Sequence, residues 1–166
     1  MTLGNSKRGP LILAWALSVL LVVALAGGTL SAIALHRQDE SKAQRDGAMK
    51  AGRQSALDFT TYDYKSWEDY SKRVLADSTG QFKDEFQSAF NASKAAAQSN
   101  QGTSKGDVKE AAVVSSDKDS AQVLVIVDAV VQNTAEPNGQ LRHYRIKLDL
   151  VRENDRWLTA DLQFVG

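Results

Sequence analysis

The chain contains no cysteine, and only two prolines and two histidines stand among its 166 residues. Without thiols, disulfide stapling, thiolate metal sites and thiol catalysis are excluded together. His36 and His143 are far apart in the sequence, one beside an apolar run and the other in an alternating polar stretch, so they form no ligand cluster. No metal and no cofactor is expected. A glycine-rich phosphate loop is also lacking, which leaves nucleotide chemistry unsupported. Nor is there an excess of positive charge. Lys and Arg number 20 against 20 Asp and Glu, and setting Lys7 and Arg8 aside leaves the later residues slightly acidic. A nucleic-acid binder needs a cationic surface to displace counterions from phosphates, so nucleic acid is excluded as a partner.

Charge is missing altogether from Leu11 to Leu35, where 13 residues are Leu, Ile or Val. As a helix this run spans roughly 37 Å, enough to cross a hydrocarbon core of about 30 Å with some tilt. A cleaved signal peptide is the competing reading, because Lys7 and Arg8 form a basic start and Ala32-Ile33-Ala34 fits small-x-small cleavage. A signal core is only about 7–15 residues long, so a retained transmembrane helix is expected. Small residues four apart, as at Ala24 and Gly28, would let a second helix approach, although such spacing is common in membrane helices. Counting Arg37, Lys42, Arg45, Lys50 and Arg53 against Lys7 and Arg8 opposes an outside domain. Long folded segments translocate with little regard to charge, however, and the expected orientation keeps the short amino-terminal tail in the cytoplasm.

The remaining roughly 130 residues suffice for one domain. Residues 1–10 read as a cytoplasmic tail, 11–35 as the transmembrane helix and 36–60 as a helical stalk with the first domain helix. Residues 61–166 complete an extracytoplasmic domain. Asp39 to about Thr60 carries an apolar stripe at Ala48, Ala51, Ala56, Leu57 and Phe59, while Lys42, Arg45, Asp46, Lys50 and Arg53 read as a solvated face. Ser66 with Asp69 predicts a capping box for a second helix, which Gly80 should end. Phe82, Phe86 and Phe90, at i, i+4 and i+8, form the core stripe of a third helix.

After the polar stretch Gln98–Gly106 the apolar period changes from 3.6 to 2. Four strands are predicted near Val108–Ser115, Ala121–Asn133, Leu141–Arg152 and Arg156–Val165, joined by tight turns at Ser116–Asp119, Glu136–Gly139 and Asn154-Asp155. Short links make the sheet an antiparallel meander. Tyr144, Ile146, Leu148 and Leu150 should face the core, as should Leu158, Ala160, Leu162 and Phe164, leaving Thr159, Asp161 and Gln163 outward. The second strand has Val123, Val125, Val127 and Val131 on one side and Leu124, Ile126 and Val130 on the other. Both faces are apolar and call for cover, within the domain or by a partner. The fold class is α+β, with three helices packed on a curled four-stranded antiparallel sheet.

Tyr62-Asp63-Tyr64, Trp67, Val74-Leu75 and Thr79-Gly80-Gln81-Phe82, followed by Ala111 to Ser115, Val123 to Asp128 and Trp157 to Leu162, resemble the signature of the Mce-associated membrane proteins of actinobacteria. Gln81 stands where many members have proline. The resemblance covers essentially the whole chain and implies a SnoaL-like, nuclear-transport-factor-2-like cone. It also implies an accessory subunit of Mce lipid importers at the plasma membrane, which carry fatty acids or sterols through the cell envelope. The implied partners are the membrane and protein subunits of the complex, with homo- or hetero-oligomerisation open. Tyr62, Asp63, Tyr64, Trp67, Gly80, Phe82, Asp128 and Trp157 are the motif and interface candidates. A similar anchor-plus-cone arrangement occurs in assembly factors of type IV secretion and conjugation machines, which is the alternative.

Some relatives of the cone fold are isomerases or cyclases with an Asp or His base inside the cone. Asp128 and Asp161 are the candidate bases here, and Tyr62, Tyr64 and Tyr144 the candidate proton donors. Asp161 alternates with outward residues and Asp128 fits a strand-edge bond equally well, so a non-catalytic protein is expected. Asn91-Ala92-Ser93 matches a glycosylation sequon but falls inside the third predicted helix, which argues against modification.

Overall fold

The computed structural model describes residues 41–166, which form one compact unit. The expected tail, the membrane span over 11–35 and the start of the stalk lie outside the described residues. Among the described residues no helix is long and apolar enough to cross a membrane.

A helix, α1, occupies 41–60. It presents Ala48, Gly52 and Ala56 to the sheet, a ridge of small residues one helical turn apart. A Cβ on Gly52 would stand 2.9 Å from Cγ1 of Val123. The glycine therefore sets how closely helix and sheet approach. The helix closes at Thr60, whose buried hydroxyl donates to the Ala56 carbonyl at 2.7 Å.

A two-residue strand β1 (Tyr62–Asp63) and a 3₁₀ turn (Tyr64–Ser66) lead into α2 (Trp67–Ala76). Ser66 is the N-cap residue, but its side chain makes no capping hydrogen bond. The capping role shifts to Asp63, whose carboxylate accepts from the Lys65 amide at 2.8 Å and tightens the 3₁₀ turn. Gly80 does not end α2. The helix stops at Ala76, and Gly80, at φ +56°, is the first residue of α3 (Gly80–Ser99). Between the two helices Ser78 bridges to Thr159, with Thr159 N donating to Asp77 O and Thr79 N donating to Thr159 O at 2.8 and 2.9 Å. These bonds tie the interhelical link to the sheet edge.

The sheet comprises β1, β2 (Thr103–Ser116), β3 (Ser120–Gln132), β4 (Gln140–Glu153) and β5 (Arg156–Phe164), antiparallel and in sequence order. Five strands thus replace the four expected. The extra one is too short to leave a periodic signal, and it forms because Tyr62 and Asp63 pair with Ser104 and Thr103. The same pairing draws β2 back to Thr103, through residues whose polar composition suggested a loop. Irregularities at Val108/Glu110, Val113/Ser115 and Asp149/Leu150 interrupt the ladders and curl the sheet.

Helices cover one sheet face. Val123, Val125 and Val127 of β3 and Ile146, Leu148 and Leu150 of β4 pack with Ala48 and Ala56 in a first core. A second core, aromatic, gathers Trp67, Tyr70, Val74, Phe86 and Phe90. The Phe82-Phe86-Phe90 stripe forms as its spacing predicts, with Phe82 at the margin. One strand departs from its expected facing. Thr159 is 1% exposed, with its hydroxyl donating to Ser55 Oγ at 3.0 Å, while Leu158 pairs opposite Val151 on the other side. The register shift between Asp149 and Leu150 reverses the alternation, so Trp157 and Thr159 share a face with Leu162. A two-residue period cannot show this, because the extra residue resets its phase.

Candidate functional site

The motif candidates do not gather at one place. Tyr62, Trp67 and Phe82 meet in the aromatic core. The Tyr62 ring lies edge-on to Trp67 at 5.8 Å, Trp67 stacks on Phe90 at 5.3 Å, and Phe82 leans on Phe59 at 6.2 Å. Asp63 caps the adjoining turn, and the Tyr64 amide donates to the Gly102 carbonyl at 3.0 Å. Gly80 starts α3 with nothing within 4 Å of where a Cβ would be. Trp157 joins the other core, its Nε1 3.2 Å from the position a Cβ on Gly47 would take. Asp128 is separate again, on the sheet face turned away from the helices.

Among the described residues, two of the places that offer surface to a partner or ligand are apolar. The first is a cleft of about 340 Å³ over the aromatic core, lined by Phe59, Trp67, Phe82, Phe90, Leu162 and Phe164. Its lining phenol, Tyr70, already donates to the Phe59 carbonyl at 3.2 Å, and burial pushes the Tyr70 pKa up. Asp128 and Asp161 do not line it. The cleft brings aromatic surface together but no carboxylate of the predicted base pair.

The second is the outer sheet face. Along β3 the alternation that buries Val123, Val125 and Val127 points Leu124, Ile126, Asp128 and Val130 outward. Ile126 is 37% exposed and Val130 43%, and Leu141, registered beside Val130 on β4, is 55% exposed. An apolar stripe along the middle of a sheet face is unusual for a wet surface, whose strands normally alternate to polar residues. Charged residues frame it. On β2, Glu110 registers with Ile126, Asp107 with Asp128 and Lys105 with Val130. On β4, Lys147 registers with Leu124, Arg145 with Ile126 and His143 with Asp128.

Asp128 Oδ1 lies 2.5 Å from His143 Nδ1, and Lys109 Nζ donates to Asp107 at 2.8 Å. That bond holds the Asp107 carboxyl below its ordinary pKa and raises that of Lys109. The Asp128–His143 pair has an acid and a base in contact, but it stands on an open sheet with the imidazole 70% exposed. General acid–base chemistry works from an enclosed apolar site, which this face does not supply. Asp161 lies on the same side, opposite Asp149, and accepts from Gln163 at 2.6 Å. Tyr62 is half-buried, and its pKa is raised chiefly by burial, then by the Tyr144 phenol, against an opposing Arg142. Among the described residues no three His, Cys, Asp or Glu gather at metal-binding distance. The placing of Glu110 and Arg145 level with Ile126, on either side of the stripe, escaped the sequence reading. Its signal becomes visible only when strand register is known.

Similarity to solved structures follows the fold. The chain superposes on an IcmL-like type IV secretion system protein from Legionella pneumophila with a TM-score of 0.62, at 16% identity, covering 73% of this chain and 91% of that one. The periplasmic domain of DotI gives 0.60 at 12% identity, covering 71% and 92%. At such identities the likeness concerns the fold alone. In sequence, the chain is 30% identical over 155 residues to "Uncharacterized protein Rv1363c" of Mycobacterium tuberculosis (strain ATCC 25618 / H37Rv), which is 92% of this chain and 59% of that protein. The chain therefore spans well under two thirds of that relative. The sequence model described as "Uncharacterized protein Rv1363c/MT1408-like" matches residues 10–166, and the chain belongs to that family.

Proposed function

We propose that this chain is a membrane-tethered, non-catalytic scaffold that docks protein partners of a cell-envelope assembly through its outer sheet face. The observation that carries the reading is β3, apolar on both sides and, among the described residues, covered by helices on only one. Burying such a stripe against a partner recovers about 25 cal/mol per Å² of apolar surface, and the charges around it supply register. The uncharged run Leu11–Leu35 supplies the tether, with the domain on the extracytoplasmic side. Catalysis is not part of the proposal, because Asp128 and Asp161 occupy the open face and not the cleft.

The assembly we assign is an Mce-type lipid importer. The support is the resemblance at Tyr62-Asp63-Tyr64, Thr79-Gly80-Gln81-Phe82 and Trp157 to Leu162. The fold shared with the IcmL-like protein and DotI favours a second reading, assembly of a type IV secretion or conjugation machine. Purification of the tagged full chain in gentle detergent separates them. Lipid-transfer subunits are expected to co-purify, whereas a translocation ATPase in their place would select the second reading. An Ile126→Asp variant should keep its far-UV circular dichroism and lose the partners. Partners retained at wild-type level by that variant would reject the outer face as the docking surface. Asp128→Asn and Asp161→Asn should leave complex assembly and lipid uptake intact, and loss of uptake in an assembled complex would reinstate an enzyme.

A further inference from the structure

We infer that the free edge of β2, over 109–116, takes up an extended segment of a partner protein as a further strand, and that this segment carries acidic side chains on the face it turns to α1. The edge is a second docking surface, beyond the outer sheet face, and does not depend on it.

The two edges of the sheet are finished differently. At β5 the Thr159 amide donates to the Asp77 carbonyl and the Thr159 carbonyl accepts from the Thr79 amide, so the link between α2 and α3 closes that side. At β2 the short β1 pairs only with Thr103 and Ser104. Two side chains take one backbone group each after that. The Thr61 hydroxyl accepts from the Gly106 amide at 3.2 Å, and the Arg53 guanidinium donates to the Val108 carbonyl at 3.5 Å. Over 109–116, among the described residues, no strand, side chain or loop bonds to this edge of the backbone. Native edges are commonly blunted by charge or proline. Here the edge runs Ala111-Ala112-Val113-Val114. Val114, left without a partner on β3 by the irregularity between Val113 and Ser115, is 60% exposed, the most exposed large apolar side chain among the described residues. An added strand satisfies such an edge: its backbone bonds give affinity, and the pockets beside it select its side chains.

The selection comes from α1. Arg53 reaches Val108, and Thr60 lies against Gly106, which sets the helix alongside β2. Between them runs a groove of about 580 Å³, with Met49, Leu57 and Val108 as its apolar lining and Lys50 and Arg53 as its cations. Among the described residues neither cation forms an ion pair. Of the acids in the groove, Asp107 is taken by Lys109 at 2.8 Å, which leaves Asp46 alone against two cations. Val108 turns to the helix side together with Ala111 and Val113, so alternate side chains of an added strand enter the groove. An amide of that strand replaces the long Arg53 bond to the Val108 carbonyl and releases the guanidinium to a carboxylate, the charge-assisted pairing it favours.

The test titrates labelled short peptides against the full chain in a nonionic detergent, read by fluorescence anisotropy and by amide hydrogen exchange. A peptide of alternating valine and glutamate should bind at least several-fold more tightly than one of alternating valine and lysine. A glutamate peptide with proline in place of every valine lacks half the backbone donors and should not bind. Binding should slow exchange over 109–116. Val114→Asp, at an exposed position, should weaken the glutamate peptide several-fold. Lys50→Glu with Arg53→Glu should invert the preference, and that gain for the lysine peptide is one that loss of folding cannot give. Equal binding of the two peptides by the wild type, or an unchanged preference in the double reversal, overturns the acidic partner. No binding of any peptide, or slowed exchange only outside 109–116, overturns the edge as a docking surface. Slow exchange over 109–116 with no peptide present, in a chain of single or doubled mass, means that this chain fills the edge itself and overturns the partner protein.

Discussion

Gly52 has no side chain, and that is what it contributes. Its neighbour Val123 is fully buried and β-branched, so neither of the methyls that a Cβ would meet at 2.9 and 3.3 Å can swing away. Alanine in a helix interior normally gains about 0.5–1 kcal/mol over glycine. Forcing an extra carbon into a packed core costs about 1–3 kcal/mol, which is the larger effect. Gly52→Ala is therefore expected to lower stability, read as a lower urea midpoint at unchanged slope. Asp117 acts through charge. Its carboxylate accepts from the amides of Asp119 and Ser120 and from the Ser120 hydroxyl, ordering the turn between β2 and β3. These bonds, the Asp119 amide first, hold its pKa below the ordinary 3.8. The folded state thus binds this proton less readily than the unfolded one, so the stabilisation is complete above pH 3.8 and fades as pH falls through the depressed value. Melting temperatures of Asp117→Ala and the wild type should differ at pH 6 and draw together as pH falls below 3.8.

At the level of elements, α2 and α3 are held mainly by rings. Phe86 lies 5.7 Å from Tyr70 and 6.2 Å from each of Phe59, Phe82 and Phe90, so it is the hub of the aromatic core. Phe86→Ala is expected to cost about 3–5 kcal/mol. Phe164→Ala, at a ring 56% exposed, should cost well under half as much in the same chemical unfolding series. Equal losses would mean that the α3 stripe is not the core of this region. The elements also show how far pattern reading reaches. Phe82, Phe86 and Phe90 were legible because a helix keeps its phase over two turns, and Tyr144 to Leu150 because an unbroken strand keeps its own. The inward turn of Thr159 was not legible, since the irregularity beside it changes the phase without changing the composition. Gly80 misled for a related reason: a glycine signals positive φ, and a chain can use that to begin a helix as well as to leave one.

On the scale of the whole molecule, residues 41–166 contain both cores and all five strands in one compact unit. A protein lacking residues 1–40 is expected to unfold in a single cooperative transition, monitored by circular dichroism and tryptophan fluorescence together. Two separated transitions would show that the two cores are independent. The full chain should remain in the pellet when envelopes are washed at alkaline pH, as a retained tether requires. Its recovery in the wash as a species beginning near Leu35 would remove the anchor from the proposed function.

The α+β order, the three helices, the meander and the doubly apolar character of β3 all followed from the sequence, because each depends on local periodicity and turn chemistry. The pairing of Tyr62–Asp63 with β2, the reversed facing at Thr159, and the placing of Glu110 and Arg145 on either side of Ile126 were settled only by the tertiary structure. These depend on which residues far apart in the chain come into register, and register is set by packing against α1 and by the strand irregularities. A single strand read alone carries neither.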